Sequence, residues 1–497
     1  MIDLMTLLPE YPMQLPAVKV GGLKLDSRQV AANDLFIAVP GYQVDGRHFI
    51  DAAIAAGAAV VLADSEAVGM ELRGSTWVIE VPQLKNQLSH IAGRFFHEPS
   101  QAIDVIGVTG TNGKTSVTYI AAQLLEALGV RCGVIGTTGS GFPGRLLPET
   151  HTTPDAIAVQ HRLQVLRSEG AQAVAMEVSS HALVQRRVEA VHFKVGVATN
   201  ISRDHLDYHG TMANYAGAKR RLFTELDTQF SVLNADDAAV AAWLPDRTDS
   251  WRFSLTPQSA AHSLWASEVR YAHDGTEFTL NVRHSHDNLE QLTVHSPLLG
   301  GFNVYNLLAA IGAVITLGHS PQTAVAACSK LHAVPGRMEA FGGTAGKPLV
   351  IVDYAHTPDA LQQVLSALRR HCHGQLWCVF GCGGDRDRGK RPQMGAVAAD
   401  LADQVVVTDD NPRTEEPEQI VKDILAGMPS RQRVQVIMGR DNAVRQVIAQ
   451  AKADDVVLLA GKGHEDYQVI GQQRIDYDER KLVAEIIATS QSAEELS

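Results

Sequence analysis

The chain has 497 residues, 45% apolar and 20% charged, with a net charge of −12 and five cysteines. That length allows about three domains, and the acidic balance argues against a nucleic-acid partner, because a phosphate polymer would be repelled. So few cysteines exclude a disulfide scaffold and make a reducing cytoplasm the expected home. Membrane insertion and export are not expected: the longest small-apolar run, Ala52 to Ala63, is too short to span a bilayer, and no basic-then-apolar leader precedes Asp3.

Residues 1–98 open irregularly and Pro-rich, with short strand signals such as Asp34-Leu-Phe-Ile-Ala-Val39. They are expected to form a small N-terminal α/β domain. Ala52 to Ala63 reads as a helix running into a strand, and the polar segment Phe96-His-Glu-Pro-Ser-Gln101 as a linker.

A central parallel-sheet domain is expected over 99–335. The apolar run Ile103 to Val108 reads as a buried strand, Val117 to Leu128 as a helix, and between them lies Gly110-Thr-Asn-Gly-Lys-Thr-Ser116. A glycine-rich turn between strand and helix can aim backbone N–H groups and a helix N-terminus at phosphate oxygens. Lys114 would reach the terminal phosphates of a nucleoside triphosphate, and the Thr115 hydroxyl would help hold Mg²⁺. The general phosphate-loop spacing wants Gly where Val108 stands.

Glu177, at the end of the strand expected over Ala173 to Val178, is placed to hold Mg²⁺ through oxygen. Val195 to Thr199 is a further strand. His205 and His209 lie four apart, but no Glu follows the first in the zinc-protease pattern; hydrogen-bonding roles are expected, with His205 near Mg²⁺. Met212, Tyr215, Leu222, Phe223 and Leu226 share one helical stripe, and Lys219 falls within it. An ammonium there is costly unless paired, so a depressed pKa or a partner is expected. A neutral amine beside a metal can take up CO₂ and become an anionic carbamate ligand. Periodicity alone leaves open a lysine at the stripe edge with its head in water. Residues 265 to 295 alternate and suggest an antiparallel excursion.

In 336–497 four apolar runs each enter a polar or glycine-rich loop. Leu349 to Val352 enters Asp353-Tyr-Ala-His-Thr-Pro358, and Leu376 to Phe380 enters Gly381-Cys-Gly-Gly-Asp-Arg-Asp387. Gln404 to Thr408 enters Asp409-Asp-Asn-Pro-Arg413, and Val456 to Leu459 enters Ala460-Gly-Lys-Gly-His-Glu-Asp466. With helices after the first three loops, the pattern is a Rossmann-like parallel sheet whose loops gather at the carboxyl ends of the strands. Cys372, Cys378 and Cys382 are expected as core residues, since no Cys-x-x-Cys pair exists. Arg413 can pair bidentately with a carboxylate and Glu465 can accept from an ammonium, a combination suited to a zwitterionic amino-acid end.

Taken together these motifs resemble the Mur ligase family of peptidoglycan synthesis. The likeness rests on the Gly110 to Thr115 loop, Met176-Glu-Val-Ser-Ser-His181, Asn200-Ile-Ser-Arg-Asp-His-Leu-Asp-Tyr-His-Gly210, Gly301-Phe-Asn-Val-Tyr-Asn306, Gly336-Arg-Met-Glu339 and Asp353 to Pro358. It runs from Leu25-Asp-Ser-Arg28 to the C-terminus. The Asp410-Asn-Pro-Arg413 form is associated with members that add meso-diaminopimelate to the D-glutamate γ-carboxylate of UDP-N-acetylmuramoyl-L-alanyl-D-glutamate, through an acyl phosphate.

The resemblance implies a monomeric ligase using ATP and Mg²⁺. Leu25, Ser27 and Tyr42-Gln43-Val44 would contact the uridine nucleotide, and His151, Thr152, Thr153, Ser179, Gln185 and Arg187 the muramoyl-peptide. Gly110, Thr111, Asn112, Gly113, Lys114, Thr115 and Ser116 would contact ATP, with Asn303, Arg337, Asp353 and His356. Arg386, Asp410, Asn411, Pro412, Arg413, Gly461 and Glu465 would hold diaminopimelate. Lys114, Glu177, His205 and Lys219 would be catalytic, and Thr115, Glu177, His205 and carbamoylated Lys219 would serve the metal. Ser116 stands where a second Thr is common, and Tyr42 and Val44 vary. The alternatives are an L-lysine-adding relative and folylpolyglutamate synthase, which has no uridine-binding first domain. A GTP-binding switch would need an Asn-Lys-x-Asp motif that this chain lacks.

Overall fold

The computed structural model describes residues 1–41, 44–244, 250–343, 346–430 and 432–494. It divides into two compact units, residues 1–252 with 312–318, and residues 253–311 with 319–497. The phosphate loop and everything N-terminal to it lie in the first; the four strand-end loops of the last third lie in the second.

The first unit opens with a five-stranded sheet of β1 (Gly22–Lys24), β2 (Asp34–Ala38), β3 (Val60–Ser65), β4 (Gly69–Arg73) and β5 (Thr76–Pro82), ordered β1-β2-β3-β5-β4. Only β4 runs antiparallel. Its apolar runs are continuous because both faces are covered. Leu35, Ile37, Val60, Leu62 and Ile79 pack on one side with Leu84 and Ile91 of helix α1 (Leu84–Phe95). Phe36, Ala38, Val61 and Val78 pack on the other with Ala53 and Ala58. The expected linker Phe96–Gln101 is ordered: Pro99 and Ser100 are buried in a short 3₁₀ turn, and Ser100 Oγ accepts from the His192 amide at 3.0 Å.

The second sheet of this unit contains β6 (Asp104–Thr109), β7 (Cys132–Gly136), β8 (Gly139–Phe142), β9 (Arg145–Leu147), β10 (Ala173–Glu177), β11 (Phe193–Ala198) and β12 (Thr228–Asn234), ordered β9-β8-β7-β10-β6-β11-β12. Strands β7, β10, β6, β11 and β12 are parallel. Helix α2 (Lys114–Ala127) follows β6, and α3 (Ala156–Ser168) precedes β10. The helix carrying Lys219 is α4 (Met212–Thr224), capped by the Thr211 side chain. Because β6 lies between β10 and β11, the phosphate loop opens between Glu177 and the segment starting at Thr199.

In the second unit, β13 (Ser263–Ala272), β14 (Gly275–Ser285) and β15 (Asn288–Ser296) form the expected antiparallel meander. Helix α5 (Gly301–Thr316) begins at the glycine pair Gly300-Gly301. A six-stranded sheet follows: β16 (Glu339–Gly342), β17 (Leu349–Asp353), β18 (Leu376–Phe380), β19 (Gln404–Val407), β20 (Val434–Val436) and β21 (Val456–Ala460), ordered β16-β17-β21-β18-β19-β20 with only β16 antiparallel. Strand β20 has no counterpart in the sequence reading. It is three residues long at the sheet edge, with Gln435 and Val436 exposed, so it carries no buried run to detect. Cys378 and Cys382 are core residues, as expected; burial pushes both thiols up to about 12. Beyond β21, the hairpin β22 (Tyr467–Ile470) and β23 (Gln473–Asp476) leads into α6 (Glu479–Glu494).

Candidate active site

The loop from Gly110 to Lys114 is built so that only glycine fits at its start. Gly110 has φ +144°, and a Cβ there would lie 1.9 Å from Thr199 Oγ1. Gly113, at φ +86°, stands immediately before α2, whose first residue is Lys114. The segment after β11 holds the loop open. The Thr199 hydroxyl donates to Asn112 O at 2.6 Å, Asn200 Oδ1 accepts from Asn112 N at 3.0 Å, and Asn200 O accepts from Thr111 N at 2.7 Å. Sequence places Thr199 at a strand end and Asn200 at the start of a family motif but gives neither this clamping role, because the loop they hold lies almost ninety residues away in the chain.

Two amines converge on one carbonyl. Gly110 O accepts from Lys114 Nζ at 3.0 Å and from Lys219 Nζ at 2.8 Å. Lys219 is 1% exposed, so the stripe-edge reading is excluded; the stripe carries it into the interior. Its Nζ lies 4.8 Å from the centre of the Tyr215 ring, and Tyr215 OH shares a 3.1 Å hydrogen bond with Thr111 Oγ1. Burial and the neighbouring Lys114 pull the Lys219 pKa down to about 6, against the opposing charge of Asp204. The amine is therefore neutral at pH 7 to 8 in this setting. Burial also lowers the Lys114 pKa, with Glu177 and Asp204 acting against it.

Glu177 closes the group from the β10 side. It is 1% exposed and accepts from Thr137 N at 2.7 Å. Desolvation raises its pKa; Lys114, Thr137 and the Thr115 hydroxyl oppose the rise. Glu177 and Thr115 are hard oxygen donors in mutual contact, which fits Mg²⁺. His205 sits at φ +50° just before the short helix Leu206–His209, so it is not on a regular helix with His209. Its ring centre lies 6.4 Å from that of Tyr215, while His209 Nε2 pairs with Ser180 Oγ at 3.0 Å. Among the described residues no group of three His, Cys, Asp or Glu side chains could hold a metal by itself.

The residues expected for the muramoyl-peptide meet at the end of β10. Thr137 Oγ1 donates to Thr152 Oγ1 at 3.0 Å, linking that set to Glu177. Thr153 Oγ1 donates to Glu177 O at 2.8 Å and accepts from Ser179 N at 3.0 Å. Arg187 donates to Thr153 O at 2.6 Å and holds Gln185 Oε1 with two donors. His151 is exposed beside Thr150. In the N-terminal sheet, Leu25 packs against the core and Ser27 opens a 3₁₀ turn held by the Asp26–Arg28 pair; Val44 is exposed. Tyr42 and Gln43 lie outside the described residues.

In the second unit, Asp353 at the end of β17 accepts from Met338 N and Ala355 N, both at 2.8 Å. One buried carboxylate thereby fixes the loops carrying Arg337 and His356; burial raises its pKa. Arg337 lies over the Tyr354 ring at 5.0 Å, and His356 Nδ1 meets Tyr354 O at 2.8 Å. Asn303, in the first turn of α5, donates to Leu299 O at 2.8 Å.

The expected amino-acid residues gather at the ends of β18, β19 and β21. Arg413 is held at φ +52° by its amide on Val469 O (3.1 Å) and its carbonyl on Gly471 N (2.7 Å), and its guanidinium donates to Gly384 O at 2.9 Å. Asn411 Nδ2 donates to Glu465 Oε2 at 3.1 Å. Gly461, at φ +114°, lies alongside the Asp410 carboxylate. Arg386 is exposed, bonded to Asp385 O.

Three buried cations behind these loops escaped the sequence reading. Arg391, fully buried, holds Glu415 through two donors and Asp423 through one, while Glu415 accepts from Asp385 N at 2.6 Å. Lys462 is also fully buried. Arg440, buried at the start of the helix Arg440–Gln450, pairs with Glu479 at 2.6 and 2.9 Å and donates to Ala460 O at 2.9 Å. It ties the end of β21 to α6. Glu479→Ala strips the partner from a buried guanidinium and should cost about 3–5 kcal/mol, read as a lower urea midpoint for the second unit. Replacing Arg440 and Glu479 together by Met and Leu should recover most of that loss.

Three sequence models match the chain: Mur ligase family, catalytic domain (residues 19–95), Mur ligase middle domain (108–314) and Mur ligase, glutamate ligase domain (336–463). The solved structure of UDP-N-acetylmuramoyl-L-alanyl-D-glutamate–2,6-diaminopimelate ligase is 39% identical, over 99% of both chains, with a TM-score of 0.76. This chain belongs to the Mur ligase family. Two more distant structures share the fold. The D-alanyl-D-alanyl-adding ligase of Acinetobacter baumannii is 17% identical over 98% of both chains, TM-score 0.63. The folylpolyglutamate synthase of Mycobacterium tuberculosis complexed with ADP is 18% identical over 82% of this chain and 94% of that one, TM-score 0.57. Family membership makes the chain an ATP-dependent ligase. No described helix is long and apolar enough to cross a membrane.

Proposed function

We propose that this Mur ligase joins the D-glutamyl γ-carboxylate of UDP-N-acetylmuramoyl-L-alanyl-D-glutamate to the amine at the L-centre of meso-diaminopimelate, consuming ATP and releasing ADP and phosphate. The observation that carries the choice of amine is Arg413 and Glu465 held beyond the carboxyl ends of β19 and β21, the two strands that flank β18, one cation and one anion for the zwitterionic distal centre. The full-length likeness to a diaminopimelate ligase supports the same reading.

A carboxylate does not react with an amine. Transfer of the ATP γ-phosphoryl to a carboxylate oxygen makes an acyl phosphate, the amine attacks its carbonyl carbon, and the tetrahedral intermediate expels phosphate. The amides from Thr111 to Ser116 and the Lys114 ammonium bind the transferred phosphoryl and offset its charge. Asn303, Arg337, Asp353 and His356 serve the rest of the nucleotide. Thr152, Thr153, Ser179, Gln185 and Arg187 orient the acyl donor, the muramoyl-peptide, with His151 at their edge. Leu25, Ser27 and Val44 contact the uridine end. Arg386, Arg413 and the Asp410 to Pro412 backbone take the distal carboxylate, and Glu465 the distal ammonium beside Gly461. Thr115, Glu177, His205 and Lys219 as its carbamate would hold Mg²⁺, which when bound polarises phosphate oxygens. The acyl phosphate hydrolyses readily, so exclusion of water during its lifetime is part of the function.

Mass analysis of product from enzyme, Mg-ATP and the uridine dipeptide, with meso-diaminopimelate or L-lysine supplied separately, tests the reading. A diaminopimelate adduct with matching phosphate release and little lysine product is expected. Lysine addition instead would overturn the roles of Arg413 and Glu465 while leaving the ligase.

A further inference from the structure

The GKGHE loop contributes more than Gly461 and Glu465. Lys462 has no exposed surface, yet its ammonium sits among the groups expected to read the distal end of the amino acid. Nζ donates to Asn411 Oδ1 at 2.7 Å and to Tyr467 O at 2.7 Å, and lies 3.3 Å from both Asp410 Oδ1 and Glu465 Oε2. Asp410 Oδ1 is buried with no hydrogen bond of its own; Lys462 is the cation within 4 Å of it, and the buried Arg440 guanidinium acts on the same carboxylate from farther off. Asn411 passes the contact on: Oδ1 also accepts from Val469 N at 2.9 Å, and Nδ2 reaches Glu465. The hairpin that receives Lys462 through Tyr467 is the one that pins the Arg413 backbone.

We propose that Lys462 is a specificity-determining positioning residue: by cancelling one of the two carboxylates, Asp410 and Glu465, it makes an incoming ammonium alone insufficient and forces recognition to depend on the distal carboxylate as well. The proposal rests on the amino-acid reading above. With Lys462 in place the cluster of Asp410, Glu465 and Lys462 has a formal net charge of one negative; without it two mostly buried carboxylates face the space its ammonium occupied. Two such carboxylates attract any lone cation, and L-lysine brings one without the carboxylate that Arg413 would pair. Removing the ammonium also leaves Tyr467 O without its donor and loosens the hairpin behind Arg413, which weakens the carboxylate half of the site. Both effects favour lysine relative to diaminopimelate.

The test is steady-state ligation by the full chain with each amine, comparing wild type, Lys462→Met and Lys462→Arg. Wild-type preference for diaminopimelate is measured first, so a failure of the amino-acid reading shows there and not in the variants. For Lys462→Met the ratio of kcat/KM for lysine to that for diaminopimelate is expected to rise at least about tenfold, with the KM for ATP within twofold of wild type. Lys462→Arg keeps the cation and is expected to keep the wild-type ratio even where turnover falls. Equal losses for both amines in Lys462→Met, or a KM for ATP that rises with them, would make Lys462 a packing residue and overturn the proposal. If Lys462→Met does not fold, the arginine variant decides alone: a ratio that drifts towards lysine with the cation present is fatal.

Discussion

Lys219→Met is expected to abolish ligation and, in the absence of substrates, to make the protein more stable. The side chain is 1% exposed and its amine titrates at about 6 in the fold, against about 10.4 in an unfolded chain. Between those values the unfolded state binds one proton more than the folded state, so stability rises with pH across the interval. The penalty for burying this lysine is therefore fully present below about pH 6, shrinks as pH increases, and vanishes above the unfolded value. Methionine fills a similar volume without a charge to desolvate. Its stabilising effect should be largest near pH 6, amount to a few kcal/mol at neutral pH, and disappear towards pH 10. Urea midpoints of both proteins across that range measure it.

The same neutrality explains what such a costly group is for. At pH 7 to 8 a neutral amine can add CO₂, and on the proposed reading the resulting carbamate would join Glu177 and Thr115 as an oxygen ligand for Mg²⁺. Isotope-labelled bicarbonate should mark the native chain and not Lys219→Met, and turnover in the variant should fall by about 10³-fold or more. A variant that keeps turnover within tenfold of wild type would reduce Lys219 to a packing residue, whatever its effect on stability.

Lys219 also shows where the sequence is legible. A charged residue inside an apolar helical stripe is a contradiction visible in one window, and so is a Gly-rich turn between a buried strand and a helix. The four strand-to-loop transitions of the last third are legible for the same reason: each is local. What closes the site is not local. Thr137 reaches Glu177 from forty positions away, Asn200 clamps Asn112 from almost ninety, and Arg440 meets Glu479 across thirty-nine. Lys462 lies inside a motif singled out for its neighbours, yet nothing in Gly461-Lys-Gly-His-Glu465 states that the lysine turns inward. Its burial follows from a hairpin carbonyl, Tyr467 O, that only the fold brings within reach. At the linker expected over Phe96–Gln101, what is not legible is its order. Its polarity is real, but Ser100 spends it on a buried amide.

Arg413→Ala should damage diaminopimelate use and leave nucleotide use intact. Arginine and alanine are both L-residues at φ +52°, so the left-handed backbone costs each about the same and the substitution adds no strain of that kind. The backbone bonds to Val469 and Gly471 survive, because they involve only the main chain. What is lost is the guanidinium, together with its bond to Gly384 O. A distal carboxylate then enters a partly buried site facing Glu465 and Asp410 without its cation. Truncating one partner of a buried charge pair costs about 2–5 kcal/mol, so kcat/KM for diaminopimelate should fall by roughly 30- to 5,000-fold while the KM for ATP stays within twofold. L-Lysine has no distal carboxylate and gains nothing from Arg413, so its slow incorporation should change little and the preference should collapse. Arg413→Lys keeps the charge without the fork and should fall between the two. Retention of diaminopimelate kcat/KM in Arg413→Ala would mean that the carboxylate is read elsewhere, with exposed Arg386 the next residue to replace.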